Sequence, residues 1–179
     1  SIVALDGIYE FILDKNFLFF LESDHEVTTG RISGVFGDEY ILGSYLVNEL
    51  LNKGYYIKII SRTATLSKKK FTANKPGQCK FINCDIKNYE LLKELLRETD
   101  YVINLVGLLV NNKNNTFKDV HSLAVGNLVK ISEELKIKKL IHISAIGAEK
   151  NSQSSYAKTK YYGEERVKKF SNYCITVSY

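Results

Sequence analysis

Short apolar runs alternate with helix-patterned segments along most of this chain, and that alternation leaves few folds open. Arg31–Phe36 is a strand candidate, followed by Leu42, Leu46, Val47, Leu50 and Leu51 at helical spacing, with Gly54 as the stop. Tyr55–Ser61 (YYIKIIS) is a β-branched and aromatic strand, and Lys80–Cys84 is another. Asn88 can cap a helix carrying Leu91, Leu92, Leu95 and Leu96. Tyr101–Val106 (YVINLV) reads as a buried strand, and Phe117–Leu135 as a helix with Val120, Ala124, Leu128 and Ile131 on its apolar face. Leu140–Ser144 is a strand, Tyr156–Phe170 a helix and Tyr173–Val177 a last strand. Short links between such units force parallel strands with helices on both faces. Right-handed crossovers then predict an α/β fold: a Rossmann-like doubly wound parallel sheet of about six strands.

At 179 residues the chain is large enough for one domain with a real core. The dinucleotide-type domain is expected over residues 31–179, with residues 1–30 an extension to which the sequence assigns no role. The net charge of +5 is mild, and no basic stripe with interleaved aromatics points to a nucleic-acid groove. Cys79, Cys84 and Cys174 are odd in number and lack CxxC spacing, which predicts neither a disulfide framework nor a metal site. His25, His121 and His142 are isolated and read as structural. Phe17–Leu21 is far shorter than the roughly 20 apolar residues of a membrane span, so no transmembrane span is expected.

The stretch VFGDEYILG follows the first strand candidate and opens a helix pattern. In a doubly wound sheet the ligand lies beyond the carboxyl ends of the strands, near the first strand-to-helix turn. Gly37 suits a tight turn there, and Gly43 suits close helix–strand packing. Tyr40, followed by Ile41 and Leu42, stands where backbone approaches a pyrophosphate, and a positive φ at Tyr40 would add about 1–2 kcal/mol of strain. The alternative is an ordinary turn that binds nothing. The second strand ends in Arg62, whose planar charged fork suits a ribose 2′-phosphate, or else is a solvated strand-end residue. Asp85 closes the third strand, placed to accept from an adenine amino group or to serve as a helix-start acid.

The segment SSYAKTKYYGEE holds Tyr156-x-x-x-Lys160, a spacing that puts phenol and ammonium on one helix face. Ser144 ends the strand just upstream. Together they form a candidate hydride-transfer constellation, with Lys160 favouring phenolate, Tyr156 moving the proton and Ser144 holding a substrate oxygen.

These elements, with VFGDEYILGSYLVNELLNKGYYIKIISR, CDI at Cys84–Ile86, YVINLVGLL and KKLIHISAIGAEKNSQSSYAKTKYYGEERV, resemble the short-chain dehydrogenase/reductase superfamily. The resemblance is to its atypical members that serve as the nucleotide-binding accessory subunit of respiratory complex I, and their bacterial relatives. It implies cofactor contacts at Gly37, Tyr40, Ile41, Leu42, Gly43, Arg62, Asp85, Ile86, Gly107, Tyr156 and Lys160, with Ser144, Tyr156 and Lys160 at the superfamily's active-site positions. The family loop is GxxGxxG, and Tyr40 departs from it at the middle glycine. The implied cofactor is NADP(H) ahead of NAD(H), held without established turnover. The implied partners are other subunits of a membrane-associated respiratory complex. The implied location is the bacterial cytoplasm at the inner membrane or the matrix side of the mitochondrial inner membrane. The family continues past the sixth strand into a substrate-side portion, expected to be missing from a chain ending at Tyr179. The rival expectations are a free NADP-dependent oxidoreductase or sugar-nucleotide epimerase, and a truncated or degenerate fold that has lost its cofactor.

Overall fold

The computed structural model of the chain describes residues 16–20, 37–65, 71, 73, 75–108, 110–111 and 115–178. Its strands are β1 (Asn16–Phe20), β2 (Tyr56–Ser61), β3 (Cys79–Asn83), β4 (Tyr101–Asn104), β5 (Lys139–Ala145) and β6 (Tyr173–Ser178). Its helices are α1 (Gly37–Asn52), α2 (Tyr89–Leu96), α3 (Ala124–Glu134) and α4 (Ser155–Val167), with a π-helical turn at Asp119–Leu123 leading into α3. The six strands form one sheet in the order β3-β2-β1-β4-β5-β6, with every pairing parallel. This is the doubly wound order, and its direction reverses between β1 and β4.

The amino-terminal segment contributes a strand to the sheet. The slot between β2 and β4 is filled by Asn16–Phe20, in register Phe17↔Ile57 and Phe17↔Tyr101. That strand lies in the segment to which the sequence assigned no role. Arg31–Phe36 lies outside the described residues.

Period-two alternation sorts the strand residues onto two covered faces. On one face Ile57, Ile59, Tyr101, Ile103, Ile141 and Ile143 pack with Leu46, Val47, Leu50 and Leu51 of α1. On the other, Ile60, Val102 and Leu140 pack with Leu92 and Leu96 of α2, Leu128 of α3 and Val167 of α4. Cys84 packs in the second cluster and Cys79 against the first, as their odd separation predicts. Burial pushes the Cys79 thiol up to about 11, so it stays protonated.

Helix ends are closed by identifiable groups. At the end of α1, Gly54 (φ +87°) takes the left-handed position, Tyr55 N–H donates to the Leu50 carbonyl and Gly54 N–H to that of Leu51. The fully buried Gln78 adds its own amide, donating to the Leu51 carbonyl at 2.7 Å. Asn88 caps α2 by accepting from Leu91 N–H. At the other end of α2, Lys58 of β2 donates to the carbonyls of Leu95 and Arg97, both at 3.0 Å. Leu92→Ala removes a fully buried side chain from under α2, and the expected loss is about 2–5 kcal/mol in urea unfolding.

Candidate functional site

All six strands point their carboxyl ends to one edge of the sheet, so the segments after β2, β3, β4 and β5 share that edge with the amino end of α1. Gly37 is the first residue of α1, so it is part of the helix and not the tight turn expected before it. Tyr40, Ile41, Leu42 and Gly43 are helical too. Tyr40 therefore has the negative φ of a helix, and the expected left-handed strain does not arise. Arg62 follows β2 in a turn and is half-buried. Beside it Thr63 N–H donates to Ser61 Oγ at 3.3 Å, and Asn83 Oδ1 accepts from Thr65 N–H at 3.0 Å. Asp85 accepts from Lys87 N–H at 2.8 Å, and its other oxygen lies 3.6 Å from the Lys87 ammonium. Asp85 thus has a local partner in the turn before α2. Ile86 is buried in the core beneath α2 and α3. Gly107 is buried just past β4.

The second part of the site is built on α4, whose cap Ser154 accepts from Ala157 N–H. Tyr156 and Lys160 share a face, as their spacing predicts: the Lys160 amine lies over the Tyr156 ring, 5.8 Å from its centroid. Lys160 is 1% exposed, the largest of the fully buried side chains among the described residues. Ser144 is fully buried near the end of β5 and donates to Glu164 Oε1 at 2.6 Å. So Tyr156 and Lys160 come together, while the Ser144 hydroxyl is turned to a carboxylate two helical turns from Tyr156.

Four further residues pack into this site: Asn104 and Glu164, which the sequence reading passed over, and His121 and His142, which it read as structural. His121 sits in the π-helical turn, a deformation frequent at functional sites. Its Nε2 accepts from Leu108 N–H at 2.8 Å, which puts the ring proton on Nδ1, 3.1 Å from Thr159 Oγ1. The ring stacks on Phe117 at 5.4 Å and meets the Tyr156 ring edge-on at 5.1 Å. Asn104 and His142 face each other across β4 and β5. Asn104 Oδ1 accepts from Val106 N–H, so its amide nitrogen donates to His142 Nδ1 at 3.0 Å. The signals were faint: a lone polar residue in YVINLV, another in LIHIS, and a histidine four residues after Phe117. Glu164 carried a clearer one, since Tyr156, Lys160 and Glu164 continue at four-residue spacing along one helix face.

The electrostatics follow from burial. Desolvation, reinforced by Lys160, pushes both His121 and His142 down to about 3, so both rings are neutral at pH 7. Gly163 makes the packing possible: a Cβ there would stand 2.2 Å from the His121 carbonyl oxygen and 3.7 Å from His142 Nε2. Among the described residues, no group of three or more His, Cys, Asp or Glu is placed to hold a metal ion. No helix among them is long and apolar enough to cross a membrane.

Two outcomes are expected. Gly163→Ala forces the π-helical turn off α4 and costs about 1–3 kcal/mol of stability in urea unfolding. The histidines make stability pH-dependent. In the unfolded chain each titrates near 6.5, and in the fold near 3. Between those values the unfolded chain binds more protons, so stability rises with pH across the window. The contribution is complete above 6.5 and is lost as pH falls toward 3. Urea midpoints measured down this range should fall, and His142→Asn should flatten the slope.

Comparison with known proteins fits this geometry. Residues 34–177 match the model of the NAD dependent epimerase/dehydratase family. The chain is 30% identical over 139 residues to the NADH-ubiquinone oxidoreductase 40 kDa subunit, mitochondrial, of Neurospora crassa, covering 78% of this chain and 37% of that one. It is 27% identical over 141 residues to the mouse (Mus musculus) NADH dehydrogenase (ubiquinone) 1 alpha subcomplex subunit 9, mitochondrial, covering 78% and 37%. The chain therefore spans little more than a third of the length of these relatives. Among solved structures, the Bordetella bronchiseptica enzyme WbmH in complex with NAD+ superposes with a TM-score of 0.67 at 14% identity, over 92% of this chain and 56% of that one. The UDP-glucuronic acid 4-epimerase of Bacillus cereus in complex with NAD gives 0.61 at 20% identity, over 90% and 55%. At these identities the structural matches speak for the fold.

Proposed function

The chain belongs to the NAD dependent epimerase/dehydratase family, and from that premise we propose that it is an NAD(P)(H)-binding, non-catalytic subunit of a respiratory NADH:ubiquinone oxidoreductase. The relatives named as subunits of that enzyme support the assembly, and their mitochondrial names favour the matrix side of the inner membrane over a bacterial cytoplasmic face. The binding domain is residues 31–179 together with β1.

The residues present fit a dinucleotide. A buried lysine lies over the Tyr156 ring, a half-buried Arg62 follows β2, and a buried Gly107 follows β4, all at the sheet edge that the amino end of α1 also meets. Arg62 would take the 2′-phosphate, α1 the pyrophosphate, and Tyr156 and Lys160 the nicotinamide ribose. A bound nicotinamide supplies hydride chemistry. The observation that carries the non-catalytic reading is the 2.6 Å bond from Ser144 to Glu164, which commits the hydroxyl that would hold a substrate oxygen. Tyr156 is meanwhile steadied by His121 and Phe117. Such a site grips a cofactor without presenting a substrate to it.

A second reading, turnover of a small carbonyl or sugar nucleotide, draws on the intact Tyr156–Lys160 pair. Nicotinamide absorbance that changes with substrate, and stops changing in Tyr156→Phe, would establish it and displace the first.

Calorimetric titration tests the cofactor assignment. NADPH should bind more tightly than NADH, and Arg62→Ala should shrink that difference by about tenfold, the worth of one charge-assisted phosphate contact. Equal losses for both cofactors would remove Arg62 from the 2′-phosphate. Isolation of the intact respiratory complex tests the assembly, and its recovery without this chain would end that part of the proposal.

A further inference from the structure

We propose that the groove between the π-helical turn and α4 is a docking site for an acidic segment of another protein. The inference stands on this face alone and survives if the dinucleotide reading fails. The groove is an open cleft of about 450 Å³ with Lys118 on one wall and Lys158, Arg166 and Lys169 on the other. Glu165 also lines it, and its carboxylate is held by Lys168 at 2.7 Å, which leaves the cations to set the sign of the cleft.

The cleft is organised as well as charged. Arg166 Nε donates to Ser122 Oγ at 2.9 Å across the gap between the helices. Gly126 makes room for its guanidinium: a Cβ there would stand 2.8 Å from Nη1. The fork is therefore held in place before any partner arrives, which lowers the entropy lost on binding. Tyr162, 41% exposed, adds an aromatic surface beside the cations.

Spacing and shape select the partner. Lys158 stands nine residues, about 13 Å at the rise of a helix, before the end of α4 at Val167, and Lys169 lies beyond that end. A single phosphate cannot span that distance, but two or three helical turns bearing Asp or Glu can. A flat membrane surface meets the rims of a recess and not its floor. A second copy of the chain packed by a two-fold axis would set the same cations against each other, which is repulsive.

The test uses the full chain and a fluorescein-labelled helical peptide with glutamates at four-residue spacing, read by fluorescence anisotropy at about 0.15 M salt. The glutamate peptide should bind and its glutamine counterpart should not. Lys158→Glu/Lys169→Glu should weaken binding by at least about tenfold. Lys75→Glu/Lys80→Glu, with the same charge change at the far β3 edge, should weaken it by no more than about twofold. Both pairs are exposed, and matched circular dichroism and urea midpoints establish that the variants fold. Equal weakening by the two pairs, or equal binding of the glutamine peptide, overturns the proposal. So does self-association abolished by the groove variant, or a groove-dependent affinity for phosphatidylserine vesicles that exceeds the affinity for the peptide. NADPH titration of the same variants keeps the two proposals apart, since groove substitutions should leave it unchanged.

Discussion

A lysine buried between a sheet and a helix constrains everything packed around it. Lys160 is 1% exposed, and its neighbours are chosen accordingly. The Tyr156 ring offers it a π face, and two imidazoles on the opposing elements are held neutral by the same burial and by the lysine itself. Those imidazoles are locked in turn: His121 by a backbone N–H and Thr159, His142 by the Asn104 amide. The π-helical turn brings His121 within reach, and the missing side chain of Gly163 lets its carbonyl approach α4. Sheet register, helix deformation and a glycine thus serve one buried amine.

The same arrangement joins two of the expected site residues and turns the third elsewhere. Tyr156 and Lys160 keep the geometry that their spacing promises, while Ser144 is bonded to Glu164. On the proposed function, one redirected hydroxyl would leave cofactor binding in place and remove the group that holds a substrate oxygen.

How much of this was legible in the sequence depended on where the partners lie. The strands β2, β4 and β5 were readable because they are short, apolar and bounded by breaks. Gly54 was readable as a helix stop because a left-handed residue is required there. The Tyr156–Lys160 pair was readable because its two members are four residues apart. The first strand was not. Asn16–Phe20 is an apolar run, but nothing local gives its place in the sheet, and its pairing with β2 and β4 is a long-range fact. The glycine spacing at Gly37 and Gly43 fits a turn or a helix equally, and the backbone is helical. Asn104 and His142 are 38 residues apart, as are His121 and Thr159, so their roles appear only once the sheet is assembled.

Lys58 reaches from the middle of β2 to the last carbonyls of α2, two elements joined through the whole of β3 and its flanking loops. Helix ends ordinarily fray on their own, because their final carbonyls answer only to water. Here the tail of α2 is moored to a strand that is itself flanked by β1 and β3. Fraying of that helix end therefore requires the two Lys58 bonds to break as well, which ties the end of α2 to the sheet.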